Sequence, residues 1–145
     1  MAGAPSRLLL CAVYLAAGVA HLARPEVFLA IMPDWVPWPR LVVFATGLAE
    51  IAGALALHAP SLRRAAGLAL AAYAVCVFPA NLKHAFEGVE VAGVALDWRY
   101  HAPRLALQPL LVFWALAAGG VLTAAEAARI GPGRHPPAAG ADSRQ

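Results

Sequence analysis

Residues Leu41–Leu57 read LVVFATGLAEIAGALAL, and this stretch decides the fold class. Apart from Thr46 and Glu50 it holds only Leu, Val, Ile, Ala, Gly and Phe. A helix of about 17–25 such residues is long enough to cross the hydrocarbon core of a bilayer. At ~1.5 Å of rise per residue, Glu50 lies about 13 Å in from the Leu41 end. A carboxyl group at that depth is costly unless it faces the interior of a bundle and finds a partner there. Leu41–Leu57 therefore calls for further membrane helices that Glu50 can face.

The rest of the chain supplies them. Leu8–Leu22, Ala65–Leu82 and Leu105–Ala125 are similarly apolar. The first is short for a span and must recruit its flanks, which begin with Pro5 and Ser6, or thin the bilayer locally. Arg7 followed by Leu8–Ala20 has the outline of a cleaved signal peptide, but the apolar run continues to Leu22 without a clean A-x-A site, so it reads as a retained span. Of the 145 residues, 61% are hydrophobic and 13% charged. A soluble domain carries about 45–50% apolar and about 25% charged residues, so the composition agrees with the segments. The expected fold is all-α: a four-transmembrane-helix bundle occupying residues 1–130, with a short interfacial helix between helices 1 and 2. Residues 131–145, rich in Gly, Pro and Ala, are expected to form a disordered tail.

The connections refine this. His58–Arg64 contains Pro60 and is short enough to make spans two and three an antiparallel hairpin. In Ala23–Arg40, Pro25 suits the first turn of a helix, and Val27, Phe28 and Ile31 share one face. Pro33, Pro37 and Pro39 stop any continuation, and Trp35 and Trp38 are of the type that settles at headgroup level. Lys83–Arg104 is a polar connection in which VEVAGVALDW is compatible with a small hairpin around Gly93. The basic residues divide almost evenly between the two sides, but Arg63 and Arg64 sit in the shortest loop, and short loops dominate orientation. Both termini are thus expected in the cytoplasm, as for a multi-pass protein of the bacterial inner membrane. The net charge is +3, but the arginines are scattered at span ends and form no basic footprint for nucleic acid. Cys11 and Cys76 belong to no CxxC pair and read as small buried hydrophobes.

Depth arithmetic places Tyr14, Tyr73 and Trp114 level with Glu50, and either tyrosine hydroxyl can donate to the carboxylate. Tyr14, Gly18 and His21 fall on one helical stripe; Tyr73, Ala80, Asn81 and His84 fall on another; Arg104 and Gln108 are one turn apart. Two polar layers result: an inner one of Glu50, Tyr14 and Tyr73, and an outer one of His21, Asn81, His84, Arg104 and Gln108. Together they outline a pocket opening outward. Gln108 in its first turn is also explained as a capping or helix-bridging group, Asn81 beside Pro79 as a partner for interrupted backbone, and His21 and Arg104 as interface residues. Glu50 is different, because Ser or Thr would bridge helices at lower cost. Gly47, Ala49, Ala52, Gly53 and Ala56, and again Gly67, Ala71, Ala72 and Ala74, read as small-residue packing faces. No metal-ligand spacing and no nucleophile–base pair is present.

GVAHLARPEVFLAIMPDWVPWPR, GLAEIAGALAL, APSLRRAAG, VFPANLKHAF and RLALQPLLVFWAL follow in order within residues 16–116. This ordered set resembles the DoxX-like family of small four-helix bacterial membrane proteins. His21, Arg24, Pro25, Glu50, Pro79, Asn81, Arg104 and Gln108 match that family's recurring positions, while Ala106 stands where a proline is often found. The resemblance implies a subunit or accessory factor of a membrane redox system, in which a pocket holds a quinone headgroup or docks a redox partner protein. Glu50 would then be the proton acceptor and His21 the relay to the exterior, with Tyr14, Tyr73, Asn81, Arg104 and Gln108 binding the ligand. The same residues are compatible with a binding protein for a small lipid or amphipathic ligand, or with a membrane assembly factor that has no catalysis.

Overall fold

A computed structural model describes residues 3–122. The described chain is mostly helical: α1 (Ala4–Ala23), α2 (Pro25–Ala30), α3 (Pro39–Ala56), α4 (Arg63–Cys76), α5 (Phe78–Phe86) and α6 (Trp98–Ala118). The tail expected over residues 131–145 lies outside the described residues.

Prolines start several of these helices. Pro5, Pro25 and Pro39 occupy the first turns of α1, α2 and α3, where a missing N–H costs nothing. α1 runs for 20 residues: the helix recruits the flank ahead of Leu8, Pro5 and Ser6 included, as expected for the short first apolar run. Trp38, held between two prolines, takes the left-handed conformation at φ 46° and turns the chain into α3. The third apolar segment is not one uninterrupted helix. Pro79 lacks the N–H that would continue the ladder and crowds the preceding turn, so α4 stops at Cys76 and α5 restarts at Phe78. α6 starts seven residues before the expected Leu105, because Asp97 accepts a hydrogen bond from the Arg99 N–H at 2.9 Å and caps it. It ends at Ala118, short of the expected Ala125. The polar connection shrinks accordingly to residues 87–97. Its turn pairs Val91 with Val94 in an isolated bridge, with positive φ at Ala92 and Gly93 as a tight primed turn demands.

Ala4–Ala23, Pro39–Ala56 and the α4–α5 stretch Arg63–Phe86 are long and apolar enough to cross a membrane. Around the outside, Leu9, Phe44, Leu48, Val75 and Phe113 point away from the protein. An exterior with this many large apolar side chains is compatible with a lipid environment.

The helices form two tight pairs, α1 with α3 and α4 with α6, that meet each other more sparsely. Each pair closes on facing glycines. A Cβ placed on Gly18 of α1 would sit 2.7 Å from the Gly47 carbonyl of α3, and one on Gly67 of α4 would sit 2.6 Å from Gly119 Cα just past α6. Gly53 does the same service for Leu70, whose Cδ2 would lie 2.6 Å from an added Cβ. Ala49, Ala52 and Ala72 of the small-residue faces instead point outward. Between the pairs, at one end, Leu10, Cys11, Leu57, Ala66, Leu70, Ala115 and Ala118 form a dry core. Trp114 donates to Ser6 Oγ at 2.8 Å and ties the start of α1 to the last turns of α6.

Gly18→Val is expected to destabilise the fold by about 1–3 kcal/mol, since the new side chain meets the Gly47 carbonyl, which cannot turn aside, as well as the Ile51 side chain. Ala49→Leu, on the outward face, should leave stability unchanged. Thermal unfolding of the two variants in detergent checks this.

Candidate functional site

At the other end, where α2 and the α5–α6 connection lie, the two pairs enclose a cavity of about 490 Å³. It falls in the size range of pockets for small molecules, ~300–1,000 Å³. Its walls are mainly apolar: Val13 and Ala17 of α1, Val42 and Val43 of α3, Ala74 and Val77 by α4, Leu107 and Leu111 of α6. Phe28, Ile31, Met32 and the Pro33–Val36 strap roof it. Tyr14, His21, Glu50, Tyr73, Asn81, Arg104 and Gln108 all line this one cavity.

The Gly18–Gly47 contact builds its centre. Three residues beyond each glycine in sequence stand His21 and Glu50, and the close approach of the helices brings their side chains together. His21 Nδ1 lies 3.0 Å from Glu50 Oε2. The same nitrogen lies 2.9 Å from the Ala17 carbonyl. A carbonyl only accepts, so Nδ1 carries the proton and directs it at Ala17. The carboxylate oxygen therefore has the ring beside it but no aligned donor, and Oε2 is buried without a hydrogen-bond partner. Phe28 of α2 stacks on the His21 ring with centroids 3.6 Å apart, fixing its plane. His21 thus belongs with Glu50 and not to a separate outer layer.

The tyrosines divide. Tyr73 stands beside Glu50 and Thr46. Tyr14 instead donates to the Leu70 carbonyl at 3.3 Å and meets Tyr73 edge-on, with centroids 6.3 Å apart. Trp114, placed level with Glu50 by depth arithmetic, lies outside the cavity on Ser6. Asn81 Nδ2 donates to Gln108 Oε1 at 2.8 Å, and Gln108 Nε2 donates to the Ala74 carbonyl. Ala74 lies in the last turn of α4, where the ladder is interrupted before Pro79. The two amides thus brace the broken helix against α6 while forming one wall.

His84 leaves the cavity. It turns to α6, where Arg104 Nη1 lies 2.9 Å from its Nδ1. A guanidinium only donates, so Nδ1 accepts and Nε2 holds the proton, buried and unpartnered. His101 packs edge-on with centroids 4.7 Å away and donates from Nε2 to the Leu96 carbonyl at 3.0 Å. Lys83 reaches across to the roof, donating to the Met32 carbonyl at 2.9 Å and to Asp34 Oδ1 at 2.6 Å. Thr46, Phe28, His101 and Lys83 are missed by the sequence reading. Thr46 precedes Glu50 by four residues and His101 precedes Arg104 by three, spacings that share a helix face. Phe28 and Lys83 carry no such signal. Cys76, expected buried, is exposed and lines the cavity. Among the described residues, no group of three or more His, Cys, Asp or Glu side chains is gathered around a point a metal ion could occupy.

A double-mutant cycle of Asn81→Ala and Gln108→Ala is expected to give a coupling of ~0.6–2 kcal/mol in stability, the range for hydrogen bonds between membrane helices. Unfolding in mixed micelles measures it, and additive effects would remove the brace.

No curated protein and no solved structure matches the chain. Residues 10–119 match a family described as a domain of unknown function, DUF8561. The match spans most of the chain, which therefore belongs to that family.

Proposed function

We propose that this chain is a four-span protein of the bacterial inner membrane whose cavity binds a small amphipathic ligand through Glu50. α6 is the fourth span: Leu107, Leu110 and Phe113 form an exposed apolar face like those of the other spans. α2 lies at the interface with Trp35 and Trp38, both exposed, at headgroup level. With the termini in the cytoplasm, Arg63 and Arg64 lie inside and the cavity end faces outward.

The observation that carries the ligand reading is Glu50 Oε2: a buried acceptor facing an apolar cavity, with no aligned donor. An apolar molecule with a hydroxyl or amine headgroup satisfies that oxygen and covers the walls. This is a binding reading and needs no catalysis. The His21–Glu50 contact favours a second, redox reading, in which the chain serves a membrane redox partner. A quinol headgroup would supply the hydroxyl donor and, as its two electrons passed to that redox partner, two protons, one of them to Glu50. Glu50 would accept that proton and His21 would pass it outward. The resemblance to DoxX-like proteins supports this second reading.

Reporter fusions after His58 and after Glu90 are expected to report opposite compartments, with His58 cytoplasmic. A shared compartment would refute the four-span arrangement.

Mass spectrometry of extracts from the detergent-purified protein is expected to show a retained quinone or hydroxyl- or amine-bearing lipid. Glu50→Gln should weaken retention about tenfold, because exchanging a charged for a neutral acceptor loses ~1–2 kcal/mol. Glu50→Leu should abolish it. Equal retention in wild type and Glu50→Leu would sink the headgroup assignment, and a loss of phenotype in Glu50→Gln with retention intact would select the proton-transfer reading.

A further inference from the structure

The cavity has a side door. Val13 of α1 and Leu107 of α6 both line it, yet they are 40% and 51% exposed. A residue that is at once cavity wall and outer surface marks an opening. The two stand at one level: Ser6 and Trp114 are bonded at 2.8 Å, Val13 lies seven residues after Ser6, and Leu107 seven before Trp114. In antiparallel helices both positions are then about 10 Å from the tie. α1 and α6 are thus pinned together at the dry end and leave an opening above it.

Two other lining residues are exposed, Trp35 in the strap and Cys76 of α4, but the gap between α1 and α6 is flanked by apolar side chains on both helices and lies where they touch more sparsely than α3 and α4 do. The dry core closes one end. At the other, α2 and the Pro33–Val36 strap lie over the cavity, and Lys83 fastens the strap through the Met32 carbonyl and Asp34.

Resting on the reading of the cavity as a ligand site, we infer that the gap between α1 and α6 is a lateral portal to the bilayer, and that the occupant is a single-chain lipid. Its hydroxyl or amine headgroup reaches Glu50 Oε2, buried and unpartnered. Its tail passes between Val13 and Leu107 into the hydrocarbon. A cavity of about 490 Å³ takes a headgroup and part of one chain. The apolar doorway excludes a polar metabolite arriving from water. Ligand uptake is therefore from the membrane, and the strap need not open.

The probe is a monoacylglycerol with a diazirine in its acyl chain, photolysed with the full-length protein in vesicles. Adducts mapped by peptide mass spectrometry are expected on Tyr14 and Leu111 inside the cavity, as well as on outward-facing Phe113. The Val13→Trp/Leu107→Trp double variant should lose the cavity adducts and keep those on Phe113. Leu110→Trp, one turn from Leu107 but outside the cavity, should keep both and controls for folding. Wild-type adducts confined to outward-facing residues would overturn the portal. So would cavity adducts that survive the double variant but vanish in Cys76→Trp, which would place the entry between α3 and α4. Glu50→Leu separates the two ideas. Cavity adducts that persist in it but vanish in the double variant support the portal and remove the headgroup assignment. Adducts lost in Glu50→Leu but kept in the double variant uphold Glu50 and overturn the portal.

Discussion

The backbone contact between Gly18 and Gly47 is the constraint on which the site depends. In hydrocarbon, apolar side chains gain little by meeting one another, and helices associate through close packing and interhelical hydrogen bonds. At this crossing an added Cβ on either helix would overlap the other, at 2.7 Å from the Gly47 carbonyl or 2.8 Å from His21 Cβ. The helices therefore approach as closely as backbone allows, and His21 and Glu50 are carried to 3.0 Å. The polar centre is a consequence of the same contact that holds α1 to α3.

The second pair closes elsewhere along its length. Gly67 and Gly119 meet near the start of α4 and just past the end of α6, beside the dry core. α4 then breaks before Pro79, and α5 continues with Asn81, His84 and Lys83 available to three different partners. Asn81 braces α6 through Gln108, His84 meets Arg104, and Lys83 fastens the roof. A single proline thus separates a close-packed half of the pair from a half that forms a cavity wall. The freed backbone is tolerated because Gln108 reaches the Ala74 carbonyl.

Polar groups in the bundle fall into two kinds. Asn81 and Gln108 bond to each other and to backbone, and Tyr14 bonds to Leu70; these are structural ties that also happen to face the cavity. Glu50 Oε2, by contrast, has His21 Nδ1 3.0 Å away but no aligned donor. A buried unpaired oxygen costs far more than a paired one; His84 Nε2 and His101 Nδ1 are also buried and unpartnered, but of the three groups Glu50 Oε2 is the one that faces the cavity.

Much of this was legible in the residues. Apolar length marked the three stretches long enough to cross a membrane, Pro25 marked the start of α2, and helical spacing put Tyr14, His21, Tyr73 and Asn81 on faces that line one cavity. Depth is nearly linear in residue number along a helix, but it must be counted from a known end: α6 starts seven residues before the assumed Leu105, and Trp114 lies beside Ser6 and not level with Tyr14. What linear arithmetic lacks is rotation and pairing. It put His21 in an outer layer, let either tyrosine hydroxyl reach Glu50, where only Tyr73 stands beside it, set Trp114 level with Glu50 and kept His84 in the pocket. The tertiary structure decided otherwise: helix pairing at two glycine contacts rotates each face, the Leu70 carbonyl captures Tyr14, and the break before Pro79 turns His84 toward α6. Sequence determines which side chains share a helix face. Which face meets which neighbour is set by backbone contacts between residues far apart in the chain, and only the folded bundle specifies those.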